Sequence, residues 1–436
     1  MSDEPEVQGV SYKSLAEEFG TPLFVYDSAV LAAQYRRLRT ALAPELEIFF
    51  SLKANPNVSL CARLHALGAR GEVSSLTELI TARQAGVAPR DIIFLGPGKS
   101  MAELAACLDE GIYAIVCESF EELRVIDELA RGRGITAPVA LRVNPGFAVK
   151  GSGLTMGGRA RQFGIDEQAL FGQPDLVRRH PAVRLMGVHV YVGTRILDEG
   201  VVTENTRRIF ALAQRLSAHL GFPLDMVDIG GGLGIAYFDG ESDLDVAVLA
   251  AELNKLVARF RAGHPGTRLL MELGRFLTAL AGTYLVQVRY IKESMGQDFA
   301  VTDGGTNHHM AATGTGSFVK RNFPMRLLSR VSAEPAVPWQ VSGPLCTPND
   351  ILGKNVPLPP LRAGDLVGVL RSGAYGPTAS PGYFLSHGYP AEVLVHNGRP
   401  YLIRSRDEPA DLLRRQRLCA DVALPDVSEA GRAITV

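Results

Sequence analysis

Lys53 is the residue of this chain whose setting most directly suggests chemistry. It ends a short, very apolar run in the segment FFSLKANPN, residues 49–57. An amine at the end of an apolar strand is easily desolvated, and a desolvated lysine loses its proton and becomes a nucleophile towards aldehydes. Lys53 is therefore a candidate for forming a Schiff base. The alternative at this point is a lysine at the mouth of a strand with no chemical task.

Two further segments could hold an anion. The glycines Gly230-Gly231-Gly232 let a backbone approach a phosphate closely and present its N–H groups. In Glu272-Leu273-Gly274-Arg275, the arginine can add a forked, charge-assisted contact. For the glycines alone, a tight turn is the alternative.

The elements that must position these residues are eight short apolar segments with helical stretches between them. The apolar segments are 46–53, 70–75, 91–98, 111–119, 138–146, 184–193, 225–232 and 268–276. Intervening stretches such as 75–86 and 119–132 show helical periodicity and acidic starts. Eight such units predict an α/β fold, a (β/α)8 TIM barrel, whose sites lie at the carboxyl ends of the strands and whose phosphates lie near the seventh and eighth. The glycines and Arg275 occupy those two places, which favours phosphate binding.

A different pattern begins after residue 278, where period-two strands follow one another without helices. These predicted strands lie within 282–294, 298–305, 338–346, 365–376 and 391–405, with Asn397-Gly398 as a hairpin turn. We therefore predict a barrel at residues 25–277 and a C-terminal all-β domain formed by 278–436 together with 1–24. The sequence alone leaves open whether TPLFVYD (21–27) joins that domain or the rim of the barrel.

Composition and motifs exclude several classes of protein. The 436 residues include 45 basic and 46 acidic side chains, and the net charge of −1 favours neither nucleic acid nor a membrane surface as a partner. Five cysteines without CxxC pairs argue against a disulfide framework, and no apolar run is long enough to cross a membrane. We expect a cytoplasmic protein. The adjacent His308 and His309 point in different directions, so no metal site is expected.

The sequence does not support either of two common nucleotide-binding motifs. Ile235 stands where a dinucleotide-binding G-x-G-x-x-G motif needs its last glycine. Ile93 stands where a P-loop ending in Gly98-Lys99-Ser100 needs its first glycine. The predicted phosphate site therefore belongs to another ligand.

A lysine able to form an imine, a phosphate site and the carboxylate of Glu272 make a consistent set for pyridoxal 5′-phosphate. Further motifs follow in the order SLKAN, GEVSS, LRVNP, RQFG, HVYVGT, DIGGG, ELGR, GPLCTPND and GAYG. With them the chain resembles the fold-type III pyridoxal-phosphate decarboxylases, the group of ornithine and diaminopimelate decarboxylases, whose barrel is related to that of alanine racemase. The resemblance extends through nearly the whole chain and implies decarboxylation of an amino acid.

The resemblance also implies roles for the matching residues. Lys53 would carry the cofactor, and Glu272 would pair with its pyridine nitrogen. The other cofactor contacts would come from Thr194, Gly230, Gly231, Gly232, Gly274, Arg275 and Tyr375. Cys346 matches the cysteine that reaches into the neighbouring subunit's site and returns a proton, which implies a homodimer with two shared sites. Without the resemblance, such a cysteine more often serves packing.

One departure from the family pattern concerns the face of the cofactor ring. Where the family has H-x-G-S, this chain has Tyr191-Val192-Gly193-Thr194, so tyrosine replaces the stacking histidine. His189 lies two residues earlier, on the same side of the strand. Both Tyr191 and His189 remain candidates for covering the ring. Glu72, Arg142 and Asp350 match motif positions to which we assign supporting roles.

A second departure concerns the substrate. Decarboxylases of diamino acids place an acidic residue after the catalytic cysteine, where this chain has Thr347, and ornithine decarboxylases use an aspartate where it has Gly304. Burying an ammonium without a carboxylate is costly. The segments 156–167, 303–312 and 320–326, together with CTPND, are most similar to decarboxylases of natural-product pathways, antibiotic biosynthesis among them, that act on an amino acid tethered to an acyl carrier protein. The alternatives are a free diaminopimelate-type or basic amino acid, and a catalytically silent regulatory homologue.

Basic residues near the expected mouth of the site could then steer an acidic carrier protein. They are Arg159, Arg161, Lys320, Arg321 and Arg326. Thr347 and Asp350 complete the predicted contacts with the substrate and its carrier. The alternative for these arginines and the lysine is an ordinary solvated surface.

Overall fold

The computed structural model describes residues 4–147, 154–155, 157–313, 321–417 and 419. Its first unit is a closed barrel of eight parallel strands, and all eight predicted strands are confirmed. They are Leu46–Ser51, Arg70–Val73, Ile92–Phe94, Ala114–Cys117, Ala137–Asn144, Val183–His189, Met226–Gly231 and Arg268–Leu273. Each strand pairs in parallel with the next, and the eighth pairs with the first, which closes the barrel.

Helices surround this barrel, as the (β/α)8 prediction requires. They are Ser28–Ala41, Val58–Ala66, Leu76–Gln84, Met101–Glu110, Phe120–Arg133, Glu167–Phe171, Leu176–Arg179, Glu199–Leu220, Val246–Gly263 and Arg275–Thr278. Serine and aspartate begin most of the longer ones, because their side-chain oxygens accept from backbone N–H groups of the first turn. Ser100 and Glu103 form a complete capping box at one such start.

The interior of the barrel is filled by apolar side chains. This inner cluster contains Phe49, Ile93, Leu95, Ala114, Val116, Ala140, Met186, Met226 and Leu270. A second and larger layer lies between the strands and the helices, so the strands are buried on both faces. Strands buried on both faces read as nearly continuous apolar runs, which is why the sequence predicts them well.

The second unit is a mixed β-sheet. Its strands, in spatial order, are Ile351–Leu358, Val337–Ser342, Gln297–Thr302, Gly282–Ser294, Leu23–Asp27, Ala391–His396 and Arg399–Arg404, with Leu366–Leu370 and Met325–Leu327 alongside. The strand Leu23–Asp27, which the sequence left unassigned, pairs with Gly282–Ser294 and with Ala391–His396. Asn397 and Gly398 both have positive φ in the tight turn between the last two strands, as the hairpin prediction requires.

Smaller elements complete the described chain. They are the strands Glu6–Val7, Val10–Ser11, Leu154–Thr155, Ile165–Asp166 and Gly193–Thr194, the helices Tyr12–Phe19 and Pro409–Leu413, and short 3-10 turns, among them Leu52–Ala54 at Lys53. Among the described residues, no helix combines the length and the hydropathy needed to cross a lipid bilayer.

Two adjacent buried histidines in the second unit make the stability depend on pH. Burial lowers the pKa of His308 to about 4 and that of His309 to about 3. Both are therefore neutral in the folded chain but protonate near pH 6.5 when unfolded, so their contribution is complete above that pH and is lost as the pH falls below it. Each histidine is expected to reduce the free energy of unfolding by about 1 kcal/mol at about pH 5.5.

A variant isolates this effect. His309 Nε2 lies 2.9 Å from Ser372 Oγ, and glutamine in its place keeps a polar group but does not titrate. We expect the unfolding midpoint of His309→Gln to change less between about pH 7.5 and 5.5 than that of the unmodified protein, as measured by urea denaturation. An equal pH dependence would show that His309 is not a source of it.

Candidate active site

The register of the barrel strands gathers polar side chains at the carboxyl ends. Arg142, His189 and Asp228 stand side by side on the fifth, sixth and seventh strands. Ser51 and Glu72 are neighbours on the first and second strands. Neighbours in register share a face of the sheet, so sequence positions far apart meet at one end of the barrel.

One pocket brings together most of the predicted cofactor residues. Its walls are Ser51, Lys53, Tyr191, Thr194, Gly232, Leu233, Glu272, Leu273, Gly274, Arg275 and Tyr375. The side chain of Lys53 is 39% exposed there, so its amine can be reached by a ligand that enters the pocket. The barrel supplies every wall except Tyr375, which comes from the second unit.

The electrostatic setting of Lys53 differs from the sequence prediction. Its Nζ lies 3.5 Å from Oε2 of the fully buried Glu72. Desolvation lowers the pKa of Lys53, but the carboxylates of Glu72 and Glu272 outweigh it, and the pKa lies above its ordinary value. The expected deprotonated amine is therefore wrong for the protein alone. The sequence shows the apolar strand before the lysine but not the two carboxylates that its register brings close.

Glu72 is itself held in place by hydroxyl groups. Ser74 Oγ donates to its Oε1 at 2.9 Å, and Ser51 Oγ donates to its Oε2. The Glu72 carboxylate thus accepts bonds on both oxygens while it faces Lys53. Ser51, which sequence reasoning missed, is identifiable only once the register with Glu72 is known.

A second cluster lies behind Glu272 and consists of His189, Asp228 and Glu272. His189 Nε2 is 3.1 Å from Glu272 Oε1, although their alignment is not that of a hydrogen bond. Burial raises the pKa of Glu272, but His189, Lys53 and Arg142 outweigh it and lower the pKa to about 2. Burial and the neighbouring Glu272 raise the pKa of Asp228 well above its ordinary value. One carboxylate is therefore ionised, and the other favours its protonated form.

The same three residues could also hold a metal ion. One ligand atom from each lies within 4.8 Å of the others, and all three residues are buried. No other such group occurs among the described residues, and His308-His309 is not part of one there. The sequence analysis identified the glycines of DIGGG but not Asp228. Alternate residues of a strand lie on the same face, so the position of Asp228 two residues before Gly230 could have indicated that it faces the site.

The structure distinguishes the two candidates for the ring face. Tyr191 lines the pocket, and Lys53 Nζ is 5.6 Å from the centre of its ring. His189 is fully buried and faces Glu272 instead. Tyr191 is therefore the aromatic residue that a ligand in the pocket would meet, and His189 belongs to the layer behind it.

The three glycines are required first by close contacts within the chain. A Cβ on Gly231 would lie 1.6 Å from the carbonyl oxygen of Glu272, and one on Gly232 would lie 2.1 Å from that of Gly193. Gly230 and Gly232 also have positive φ, of 66° and 92°. Gly232 lines the pocket as well. The tight-turn interpretation of the sequence is therefore confirmed for this loop, and its phosphate binding stays a prediction.

Arg275 follows the end of the eighth strand and lines the pocket. Its guanidinium lies 4.7 Å from the centre of the Tyr375 ring, and its Nη1 donates to Tyr237 Oη at 3.0 Å. Its Nε is buried and has no hydrogen-bond partner among the described residues. Tyr375 has a left-handed φ of 55°, and its N–H donates to the Ala54 carbonyl at 2.7 Å, next to Lys53. Strain of this kind in a non-glycine residue is typical of functional sites.

Arg142 supports the site from the fifth strand. Its Nη1 donates to Glu118 Oε1 at 2.7 Å, and its guanidinium lies 4.8 Å from the Phe163 ring. Both partners of this ion pair are buried. Arg142 therefore contributes fixed positive charge near Glu272 and does not reach into the pocket wall.

Cys346 lies in a loop of the second unit and is exposed. It is not among the residues that line the Lys53 pocket of its own chain. Asp350 Oδ1 accepts from the N–H and the hydroxyl of Thr306, and its Oδ2 accepts from the N–H of Leu345. Asp350 is buried, and its hydrogen bonds hold the Cys346 loop; a contact between Asp350 and the substrate stays a prediction.

The predicted carrier contacts lie in different surroundings. Arg159 is exposed, and its carbonyl accepts from Asn144 Nδ2 at 3.0 Å at the end of the fifth strand. Arg321 pairs with Glu241 at 3.1 Å and covers the Phe238 ring. Arg161 and Arg326 are exposed, and Arg326 lies on the strand Met325–Leu327. Lys320 is outside the described residues.

The residues present fit pyridoxal phosphate. The ligand needs an accessible amine, a cation beside glycine backbone for its phosphate, and an ionised carboxylate for its ring nitrogen. Lys53, the Arg275–Gly232 wall and Glu272 provide these in one pocket. Glu272 Oε1 and Arg275 Nε are both buried without a hydrogen-bond partner in the part of the chain that the structure describes, which is costly unless a ligand satisfies them. A parallel barrel with this pocket defines the class of pyridoxal-phosphate barrel enzymes.

Comparison with known proteins gives the family. Residues 28–279 match the model of the pyridoxal-dependent decarboxylases, pyridoxal binding domain. An L-glutamyl-[BtrI acyl-carrier protein] decarboxylase from Niallia circulans is 39% identical over 92% of this chain and 95% of the relative. The diaminopimelate decarboxylase of Aquifex aeolicus is 31% identical over 92% and 93% of the two chains. The chain therefore belongs to the pyridoxal-dependent decarboxylases.

Solved structures agree with this assignment. The crystal structure of diaminopimelate decarboxylase from M. jannaschii has a TM-score of 0.86 and 27% identity, covering 96% of this chain and 98% of that one. The crystal structure of diaminopimelate decarboxylase from Helicobacter pylori complexed with L-lysine has a TM-score of 0.83 and 27% identity, covering 93% of this chain and 98% of that one. The protein is a pyridoxal-phosphate-dependent carboxy-lyase with a TIM barrel and a further β domain, as the sequence predicts.

Proposed function

We propose that this enzyme removes the α-carboxylate of an acidic amino acid that is tethered to an acyl carrier protein. The observation that carries the proposal is the 39% identity with a decarboxylase of a glutamyl carrier protein, against 31% for a diaminopimelate decarboxylase of similar coverage. The family alone would allow either substrate class.

The loop that contains Cys346 supports this choice. A free diamino acid would bring a distal ammonium, which needs a carboxylate if it is to be buried. The residue after Cys346 is the neutral Thr347. The nearest carboxylate in that motif, Asp350, already accepts hydrogen bonds from Thr306 and Leu345 on its two oxygens. Thr347 therefore offers no negative charge to an ammonium, and the buried Asp350 carboxylate is held within the loop by these hydrogen bonds.

Each pocket residue then has a defined task in the reaction. Bound pyridoxal phosphate supplies an aldehyde and an electron-accepting ring. Lys53 would hold the cofactor through its amine and later release the product, and Glu72 at 3.5 Å would accept and return the proton of that amine. Arg275 and the glycine loop would hold the phosphate. Ionised Glu272 would keep the proton on the ring nitrogen, with His189 and Arg142 stabilising the charge of Glu272.

The final step needs a proton at Cα in place of the departing CO₂. We assign it to Cys346 of the partner subunit, because Cys346 is exposed and is not among the residues that line the pocket of its own chain. The enzyme would then be a homodimer in which each site uses Lys53 from one chain and Cys346 from the other. The five cysteines, free in the structure, are compatible with work in the cytoplasm.

Mixing two inactive variants tests the shared site. Each proposed site uses Lys53 of one chain and Cys346 of the other. In a mixed dimer of Lys53→Ala and Cys346→Ala chains, one site therefore lacks both residues and the other has both. After unfolding and refolding of an equal mixture, we expect about a quarter of the unmodified activity, since about half the dimers are mixed. An absence of recovery, with mixed dimers demonstrated by differently tagged chains, would place both residues in one chain's site.

Separate incubations with each candidate substrate test the substrate class. Holoenzyme is incubated with L-glutamyl BtrI acyl-carrier protein, with free L-glutamate, and with free diaminopimelate, ornithine and lysine. Mass spectrometry follows loss of CO₂ from each. We expect turnover of the tethered amino acid and little from the free ones. Turnover of free diamino acids alone would refute the tethered substrate and favour the function of the diaminopimelate relatives.

A further inference from the structure

A groove on the outside of the barrel lies beside the helix Glu199–Leu220. It has a volume of about 530 Å³. Phe147 and Phe171 form much of its apolar wall, and Arg207, Arg208 and Arg215 line it from the helix. A second depression of about 430 Å³ shares Arg207 and adds Arg259 on the neighbouring helix. The reaction at Lys53 makes no use of this surface.

The arginines of this groove are ordered by their neighbours. Arg208 lies over the Phe147 ring at 5.4 Å, and Arg215 lies over the Phe171 ring at 4.9 Å. Aromatic contacts of this kind orient a guanidinium and leave its edge available for a carboxylate or a phosphate. The side chains of Arg207, Arg208 and Arg215 are 58%, 42% and 62% exposed.

The groove carries an excess of positive charge. Glu204 pairs with both Arg207 and Arg208 at 2.6 Å, and Glu167 pairs with Arg215 at 3.2 Å. Four arginines, with Arg259, therefore face two carboxylates. The whole chain is nearly neutral, at −1, so this surface is a local basic patch against that background.

The groove also adjoins residues that follow the carboxyl end of the fifth barrel strand. Gly146 and Phe147 follow the fifth strand within three residues of its end, and Gly146 N–H donates to Glu167 Oε2 at 2.9 Å. The same strand carries Arg142, one of the cations that stabilise Glu272. Asn144, at the end of that strand, binds the carbonyl of Arg159. A partner bound in the groove would therefore lie beside the mouth of the site.

We propose that this groove is the docking surface for the acidic carrier protein, and that Arg207, Arg208 and Arg215 receive its carboxylates. This inference rests on the proposed tethered substrate. The apolar floor suits a helix of the carrier, and the arginines supply charge complementarity and steering. Docking here leaves the tethered amino acid free to enter the mouth, while the carrier itself stays outside the barrel.

The test compares one amino acid on two carriers. For Arg208→Gln/Arg215→Gln holoenzyme, kcat/KM is measured with L-glutamyl BtrI acyl-carrier protein and with L-glutamyl pantetheine thioester. We expect the ratio of kcat/KM for the carrier protein to kcat/KM for the thioester to fall about tenfold, because KM for the carrier protein rises. This ratio should also depend less on added salt than it does in the unmodified enzyme. Arg208→Lys/Arg215→Lys, which keeps the charges, is expected to recover most of the ratio.

A matched control uses Arg83, which lies on Leu76–Gln84 across the barrel and pairs with Glu110 at 2.8 Å. Arg83→Gln is expected to leave the ratio within about twofold. If the ratio is also unchanged in Arg208→Gln/Arg215→Gln, the proposed docking surface is refuted, but the proposed function is not. Failure of the unmodified enzyme to use the glutamyl carrier, while free amino acids react, would overturn the proposed function and the docking surface with it.

Discussion

Lys53→Ala is expected to lower decarboxylation by at least about four orders of magnitude, because alanine removes the nucleophile that binds the cofactor and releases the product. The loss should appear in kcat, measured as CO₂ released per holoenzyme. The visible absorption of the lysine-bound cofactor should also disappear. The site offers no second amine among its lining residues, since Lys53 is the one lysine in that wall.

The control for this variant is Lys255→Ala. Lys255 lies on the helix Val246–Gly263, is 71% exposed and pairs with Glu252. Its replacement removes an amine without touching the site, and activity should stay within about twofold. Substantial decarboxylation by Lys53→Ala would show that the chemistry does not depend on this amine.

Glu272→Gln is expected to lower kcat by about two to three orders of magnitude while pyridoxal phosphate remains bound. Glutamine has nearly the same shape but no charge, so it cannot keep the ring nitrogen protonated. The surroundings are built for a charged group: His189, Lys53 and Arg142 hold the pKa of Glu272 at about 2. Because that pKa is lowered, Glu272 stays ionised over the whole working range of pH.

Glu272→Asp keeps the charge on a shorter side chain and should retain more activity than Glu272→Gln. Cofactor occupancy, measured by absorbance after dialysis, separates a loss of binding from a loss of chemistry. A decrease of less than about tenfold in Glu272→Gln would mean that protonation of the ring nitrogen is supplied elsewhere.

The barrel could be predicted from sequence because its signals are local. Each buried strand appears as a short apolar run, and the helices Leu76–Gln84 and Phe120–Arg133 match the predicted stretches 75–86 and 119–132. The Asn397-Gly398 turn was readable for the same reason. The fold places the loops after the seventh and eighth strands next to each other, so the sequence could associate the glycines with Arg275, and Gly232 and Arg275 line one pocket.

Features that depend on register could not be predicted in this way. The pKa of Lys53 was expected to fall, and it rises because Glu72 on the second strand lies 3.5 Å away. Asp228 was not distinguished from the glycines that follow it, although it is buried beside Glu272. The strand Leu23–Asp27 pairs with residues more than two hundred positions later, and no local pattern carries that information.

Asp350 illustrates a related difficulty. As a carboxylate in the motif that contains Cys346, it was a reasonable candidate for contact with a substrate. Only its hydrogen bonds to Thr306 and Leu345 reveal that it fixes the loop in which Cys346 lies. A sequence motif indicates that a residue type matters, but the partners that it contacts decide what it does.

We propose that Lys53 binds pyridoxal phosphate in the pocket lined by Glu272, Arg275 and Tyr375. To test this, the protein is loaded with pyridoxal phosphate, the imine is reduced with borohydride, the chain is digested, and the modified lysine is located by mass spectrometry. The pyridoxyl group is predicted on the peptide that contains Lys53 and on no other. Modification of a different lysine, such as the buried Lys99 or the exposed Lys255, with Lys53 left unmodified, would contradict it.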